Sequence, residues 1–200
     1  MTTIDYYISL NSPWTYLGAQ RFRDVVAKYS ATVRVKPARF MQVFEKTGGL
    51  PLPKRAFERQ AYRLVELKRW AEHTGLPLVI QPKNFPSDDT AATRLVIAAE
   101  QIGLDALRFS QELGRAVWEL EQSLADIGVI DAAAQRAGVD VGQLRAGAAF
   151  DAALDAVWDK NTAEAIERGV FGAPSYVFAD GEIMWGQDRL EFVAKKLARS

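Results

Sequence analysis

A turn that carries hydroxyl groups, Ser12-Pro13-Trp14-Thr15, is the segment of this chain best suited to chemistry. Ser12 is predicted to be the N-cap of a helix and Pro13 its first residue, because each residue type is favoured at that position. A helix N-terminus stabilises negative charge, so an anion beside Ser12 would be held by the helix and by the hydroxyl together. Ser12 is therefore the candidate catalytic residue, with helix capping alone as the simpler alternative.

The turn resembles the Cys-Pro-Trp-Cys redox turn of thioredoxin-type proteins, with hydroxyls in place of both sulfurs. The chain contains no cysteine. It cannot exchange disulfides by itself, since that reaction needs a protein thiolate to attack sulfur. Disulfide bonds and cysteine-based zinc sites are excluded for the same reason. Any thiol used at this turn must come from outside the protein.

The elements on both sides of the turn are predicted to be a strand, a helix and a second strand. Residues 4–10 alternate and are rich in aromatic and β-branched types, which indicates a strand. Residues 13–29 place apolar side chains at three- and four-residue steps, which is typical of a helix. Residues 32–37 alternate again, so the three elements form a βαβ unit whose strands should be parallel.

The rest of the chain is predicted to be helical first and then β again. Between residues 56 and 168 the apolar residues recur at helical steps. Residues 175–178 and 182–185 form a predicted hairpin, and Asp188 is the predicted cap of a last helix. Four glycines are candidate helix ends: Gly75, Gly103, Gly128 and Gly138.

This order predicts an α/β fold: a thioredoxin-like core (βαβ…ββα) with a large helical insertion. The core would comprise residues 1–55 and 169–200, and the inserted helical domain residues 56–168. The chain has 200 residues, of which 48% are hydrophobic, enough to build such a core and to exclude a disordered protein.

Three segments resemble the 2-hydroxychromene-2-carboxylate isomerases, close relatives of kappa-class glutathione transferases and cousins of the DsbA-like oxidoreductases. They are the Ser-Pro-aromatic turn of residues 12–18, residues 169–175 and residues 185–190. The resemblance implies a glutathione-dependent cis–trans isomerase. Its reaction would convert 2-hydroxychromene-2-carboxylate into trans-o-hydroxybenzylidenepyruvate in aromatic degradation. A kappa-like transferase and a noncatalytic ligand-binding module are the alternatives.

The resemblance also implies how glutathione would be held. Ser12 would donate a hydrogen bond to the glutathione thiolate, and the bond between Ala173 and Pro174 would be cis, which turns Ala173 toward the peptide backbone of glutathione. Gln187 and Asp188 would receive the γ-glutamyl head.

A basic residue is needed for the glycyl carboxylate of glutathione. The spacing in related proteins favours Arg59 over Lys54 and Arg55, because Arg59 lies three positions before Tyr62. Trp14, next to Ser12, is the candidate for stacking on an aromatic substrate, with buried packing as the alternative.

Charge and composition favour a small-molecule partner. Lys+Arg and Asp+Glu are both 25, so no basic surface for nucleic acid or an anionic membrane is expected. The sequence shows neither a targeting segment nor a membrane span, which favours a cytoplasmic protein.

The only histidine, His73, is interpreted as an exposed residue in the last turn of a helix, and Asp88 and Asp89 as helix caps, so no metal is predicted. The resemblance implies a homodimer.

Overall fold

The computed structural model describes residues 2–148 and 151–199, and its α/β architecture is a four-stranded sheet covered by helices. Of the predicted domain ranges, only Met1, Ala149, Phe150 and Ser200 lie outside the described residues. The strands are β1 (Thr3–Ile8), β2 (Thr32–Pro37), β3 (Ser175–Phe178) and β4 (Ile183–Trp185). The helices are α1 (Pro13–Tyr29), α2 (Phe40–Thr47), α3 (Phe57–Thr74), α4 (Thr90–Gln101), α5 (Ala106–Trp118), α6 (Ile127–Ala137), α7 (Val141–Gly147), α8 (Asp151–Glu167) and α9 (Leu190–Leu197). Two 3-10 turns span Leu52–Lys54 and Gln187–Arg189.

The sheet order β2-β1-β3-β4 puts β1 in the middle. The β1 and β2 strands are parallel, as the βαβ prediction requires, and β3 pairs with β1 in the antiparallel direction. Alternation along β1 sends Tyr6 to one face of the sheet and Tyr7 to the other, and both side chains are fully buried. The thioredoxin-like arrangement predicted from the sequence is thus present.

The inserted helices pack directly on the core. One hydrophobic cluster includes Tyr6 and Ile8 of β1, Phe22 of α1, and Leu113 and Trp118 of α5. The opposite face of the sheet is covered by α2 and α8. The division into a core and an inserted domain stays a prediction. No helix in the described ranges combines the length and the apolar composition needed to cross a membrane.

A buried ion cluster lies on the α8 side of the sheet. Asp5 is 2% exposed and accepts hydrogen bonds from Arg34 at 2.6 and 2.9 Å and from Arg168. Lys36 lies 3.3 Å from Asp5 and also pairs with Glu164. Burial alone would raise the pKa of Asp5, but the hydrogen bonds from Arg34 and Arg168, together with the charge of Lys36, lower it below its ordinary value.

The structure adds one helix and corrects two sequence predictions. Helix α2 lies in a segment to which the sequence analysis assigned no element. Gly128 is not a helix end: it lies in the first turn of α6, where its N–H donates to the Asp126 carboxylate at 2.8 Å. Asp188 does not cap α9, because it lies inside the 3-10 turn before that helix, and Arg189, with no side-chain capping bond, is the residue at the cap.

Candidate functional site

The Ser12 turn connects the end of β1 to α1, as predicted. Ser12 is the N-cap, and its Oγ accepts a hydrogen bond from the Thr15 N–H at 3.2 Å. A hydroxyl that accepts through one lone pair still has its own hydrogen to donate. Trp14 follows without a hydrogen bond from its backbone N–H to any described residue. The turn therefore offers two donors, the Ser12 hydroxyl and the Trp14 N–H, beside a helix N-terminus.

The cis bond expected between Ala173 and Pro174 is present. Since Ser175 pairs with Tyr7 of β1, the Pro174 turn lies at the end of β1 that leads to Ser12. Within the described residues, the N–H and C=O of Ala173 make no hydrogen bond. Free backbone groups beside a sheet can pair with an extended peptide as an added strand would.

The Gln187-Asp188 turn is held against both of these segments. The Gly186 N–H donates to the Pro174 carbonyl at 2.9 Å. A Cβ added to Gly18 of α1 would lie 2.8 Å from the Cβ of Gln187, so only glycine permits this close packing. The backbone N–H groups of Gln187 and Asp188 form no bond to a described residue, which leaves two donors next to the Asp188 carboxylate.

The side chain of Gln187 is held by Arg21 and is not available to a ligand. Its side chain is 2% exposed, and its side-chain and backbone oxygens both accept from the Arg21 guanidinium. Arg21 also lies over the Trp70 ring of α3, 5.4 Å from its centroid. Any ligand contact by Gln187 must therefore use its backbone, and Arg21, which the sequence did not single out, fixes the turn to α1.

Two predicted residues are less closely tied to this group. Arg59 is exposed on α3, and its side chain forms no hydrogen bond or ion pair within the described residues. Trp14 is half-buried and packs partly on the main hydrophobic cluster.

His73 is exposed in the last turn of α3 with its ring edge-on to Trp70. No group of three potential metal ligands occurs in residues 2–148 and 151–199.

A half-buried carboxyl group, that of Asp89, lies next to the turn, and the sequence analysis interpreted it only as a helix cap. Asp89 precedes α4, and burial raises its pKa to about 6, although a hydrogen bond with Asn11 acts in the opposite direction. Asn11 immediately precedes Ser12, and its side-chain amide exchanges hydrogen bonds of 3.0 and 3.3 Å with the backbone of Ser87. Of the two predicted caps, Asp88 supplies the capping bond, accepting from the Thr90 N–H at 3.0 Å.

Asp89→Asn is expected to stabilise the protein at pH 7 by roughly 1–2 kcal/mol. Because the folded pKa lies above the unfolded value, the folded state binds more protons between about pH 4 and pH 6. Wild-type stability should therefore fall as pH rises through that window, and the variant should lack this decline. Chemical unfolding at several pH values measures it. Asp88→Asn is the matched control; a decline that persists in Asp89→Asn would contradict the assignment.

The fold, the hydroxyl turn and the cis-proline turn together define a thioredoxin-like protein without a thiol of its own. Residues 3–198 match the family described as DSBA-like thioredoxin domain, and the chain belongs to that family.

Within this family the chain groups with the 2-hydroxychromene-2-carboxylate isomerases, as the sequence motifs predicted. It is 30% identical to the 2-hydroxychromene-2-carboxylate isomerase of Pseudomonas putida over 98% of this chain and 94% of that protein. A solved structure of a 2-hydroxychromene-2-carboxylate isomerase is 28% identical, with a TM-score of 0.78, and the match covers 98% of this chain and 95% of that one. The human glutathione S-transferase kappa 1 is 26% identical over 98% of this chain and 90% of that protein. The prediction of an enzyme of the isomerase family is confirmed.

Proposed function

We propose that this protein is a glutathione-dependent isomerase of 2-hydroxychromene-2-carboxylate or a closely similar aromatic acid. The observation that carries the proposal is the set of free hydrogen-bonding groups at Ser12, Ala173 and Asp188 in a chain without cysteine. Their chemistry matches the thiol, the peptide backbone and the amino-acid head of glutathione. The isomerase relatives supply the reaction class.

Different residues of the chain would bind different parts of glutathione. The Ser12 hydroxyl and the Trp14 N–H donate to the sulfur and favour its ionised form. The Ala173 N–H and C=O pair with the peptide backbone. The Asp188 carboxylate, which is 38% exposed and forms a surface ion pair with Arg189 at 2.6 Å, attracts the γ-glutamyl ammonium. Arg59, which pairs with no carboxylate in the part of the chain that the structure describes, is suited to the glycyl carboxylate.

When bound, glutathione supplies the thiolate nucleophile that this chain lacks. The protein's part is to keep the sulfur ionised at the N-terminus of α1 and to position the substrate against it. Trp14 offers a flat apolar surface beside Ser12 on which an aromatic ring could stack. The cytoplasmic location predicted from the sequence and the dimer implied by the resemblance both remain predictions.

Titration with glutathione and an ultraviolet assay test the proposal together. In the complex, the thiolate absorption band should appear at lower pH than it does for free glutathione, because the helix N-terminus and the Ser12 hydroxyl favour the anion. The protein should also isomerise 2-hydroxychromene-2-carboxylate only when glutathione is present. Des-glutamyl and glycine-extended analogues serve as controls. An unshifted thiol, or equal binding of all three peptides, would support a noncatalytic binding module instead.

The similarity to kappa-class transferases makes a transferase the second candidate. A transferase retains glutathione in its product, whereas an isomerase returns it unchanged. Mass spectrometry of the reaction mixture separates the two, because only the transferase consumes glutathione in proportion to the product formed.

A further inference from the structure

Arg63 of α3 is a half-buried cation without a polar partner among the described residues. Its guanidinium lies 5.8 Å from the centroid of the Phe85 ring and 5.9 Å from that of Trp118, and these two rings pack against each other at 4.7 Å. In residues 2–148 and 151–199 it makes no hydrogen bond and no ion pair. Buried charges in proteins are ordinarily paired, because leaving one without a partner costs free energy.

Other half-buried arginines in the described chain have such partners. Arg39 pairs with two aspartates, Arg168 with Asp5, and Arg21 with oxygens of Gln187. The charged group that acts on Arg63 is a second cation, Arg55. Arg55 donates to the Leu50 carbonyl and adds positive charge. Burial, with a smaller contribution from Arg55, lowers the pKa of Arg63 to about 10, so the guanidinium is still protonated at neutral pH.

The loop between α3 and α4, which packs on Arg63 through Phe85, also reaches the Ser12 turn. Phe85 lies two residues before Ser87, whose backbone is hydrogen-bonded on both sides by the Asn11 side chain. The hydroxyl of Tyr16 in α1 donates to the Pro77 carbonyl, at the start of the same loop, at 2.7 Å. The unpaired guanidinium is thus joined through this loop to the residue that precedes Ser12.

We propose that the Arg63 guanidinium binds the carboxylate of the aromatic substrate and thereby selects aromatic acids over neutral aromatic compounds. This inference rests on the proposed function and assigns its substrate specificity to one side chain. A guanidinium presents paired N–H donors that match both oxygens of a carboxylate, and the neighbouring aromatic rings suit an aromatic body. Arg59 lies one helical turn earlier on the same face of α3, so each arginine would hold one carboxylate, that of glutathione at Arg59 and that of the substrate at Arg63.

Calorimetric titration with chromone-2-carboxylate and with uncharged chromone tests the proposal, both with and without glutathione. Arg63→Gln should weaken binding of the acid by about tenfold or more, with chromone and glutathione affinities changed by less than about twofold. Arg63→Lys should retain part of the affinity for the acid. Arg69→Gln is the matched control, since Arg69 is exposed on the same helix and pairs with Glu66 at 2.8 Å.

The outcomes distinguish the two carboxylates that Arg63 could bind, that of the substrate and the glycyl carboxylate of glutathione. Unchanged affinity of Arg63→Gln for the acid would overturn the proposal, as would the absence of any preference for the acid over chromone in the wild type. Selective loss of glutathione binding would assign Arg63 to the glycyl carboxylate and would equally overturn it. Because the titrations measure binding directly, they test the role of Arg63 even if the isomerase assay fails. The variant should fold with an unfolding midpoint close to that of the wild type, because Arg63 makes no hydrogen bond or ion pair with a described residue that the substitution would break.

Discussion

Ser12→Ala is expected to lower kcat by about a hundredfold while the affinity for glutathione stays nearly unchanged. The substitution removes the hydroxyl that we propose donates to the sulfur, but it leaves Ala173, Asp188 and the N-terminus of α1 in place. Steady-state kinetics with glutathione and 2-hydroxychromene-2-carboxylate, together with glutathione titrations, measure both quantities. A variant with wild-type kcat would show that Ser12 is only a helix cap.

The capping role needs a separate control, because Ser12 also accepts the Thr15 N–H. Losing that bond costs about 1 kcal/mol of stability. Ser12→Asp restores a capping acceptor but has no hydrogen to donate and repels a thiolate, so it should recover stability and be at least as inactive as Ser12→Ala. Ser9→Ala tests for a general disturbance of the segment, since no hydrogen bond of the Ser9 side chain to a described residue exists. Activity that followed stability across these variants would refute the catalytic role.

Asp5→Asn should cause the largest loss of stability, about 2–4 kcal/mol at pH 7, because it removes the buried carboxylate that accepts hydrogen bonds from two arginines and leaves Glu164 as the remaining carboxylate of the cluster. Arg34, Lys36 and Arg168 all converge on this residue. Chemical unfolding measures the change, and Asp131→Asn, which disrupts the ion pair with Arg145 on the helical insertion, is the control with a small expected effect.

The ion cluster around Asp5 also predicts how the stability of the protein changes at low pH. The pKa of Asp5 is lower in the folded protein than in the unfolded chain, so its contribution to stability is complete above the unfolded value of about 3.9 and is lost as pH falls through the folded value. The wild type should therefore lose stability steeply below about pH 4, and Asp5→Asn should lose less. Equal slopes for both proteins would contradict the role assigned to Asp5.

Local signals in the sequence are enough to predict the elements around the turn. Ser12 and Pro13 set the start of α1, because capping and the fixed φ of proline depend on adjacent residues only. Gly128 shows the limit of such signals. The sequence alone does not distinguish a glycine in the first turn of a helix from a glycine that ends one, and only the hydrogen bond from its N–H to Asp126 places Gly128 in the first turn. The capping prediction for Asp188 is wrong for a similar reason, since a 3-10 turn precedes the last helix.

The parts of the site that the sequence did not predict depend on distant contacts. Arg21 donates a hydrogen bond to Gln187, which is 166 positions away in the chain. Arg63 is partly buried by a loop, and the conformation of that loop cannot be predicted from a periodic sequence pattern. Asp89 resembles an ordinary cap in the sequence, because its burial next to Asn11 arises only after the insertion packs against the turn. Isolated charged residues carry no spacing signal, so their environment is visible only in the folded structure.

The central position of β1 has a consequence for synthesis of the protein on the ribosome. This strand and the Ser12 turn are synthesised before helices α2 to α8, whereas β3, the Pro174 turn and Asp188 are synthesised after them. Until then one edge of β1 has no partner, and an open strand edge invites pairing with other chains. Because the proposed glutathione site needs Ala173 and Asp188, ligand binding cannot protect this edge earlier, and its protection must come from the helices synthesised in between or from chaperones.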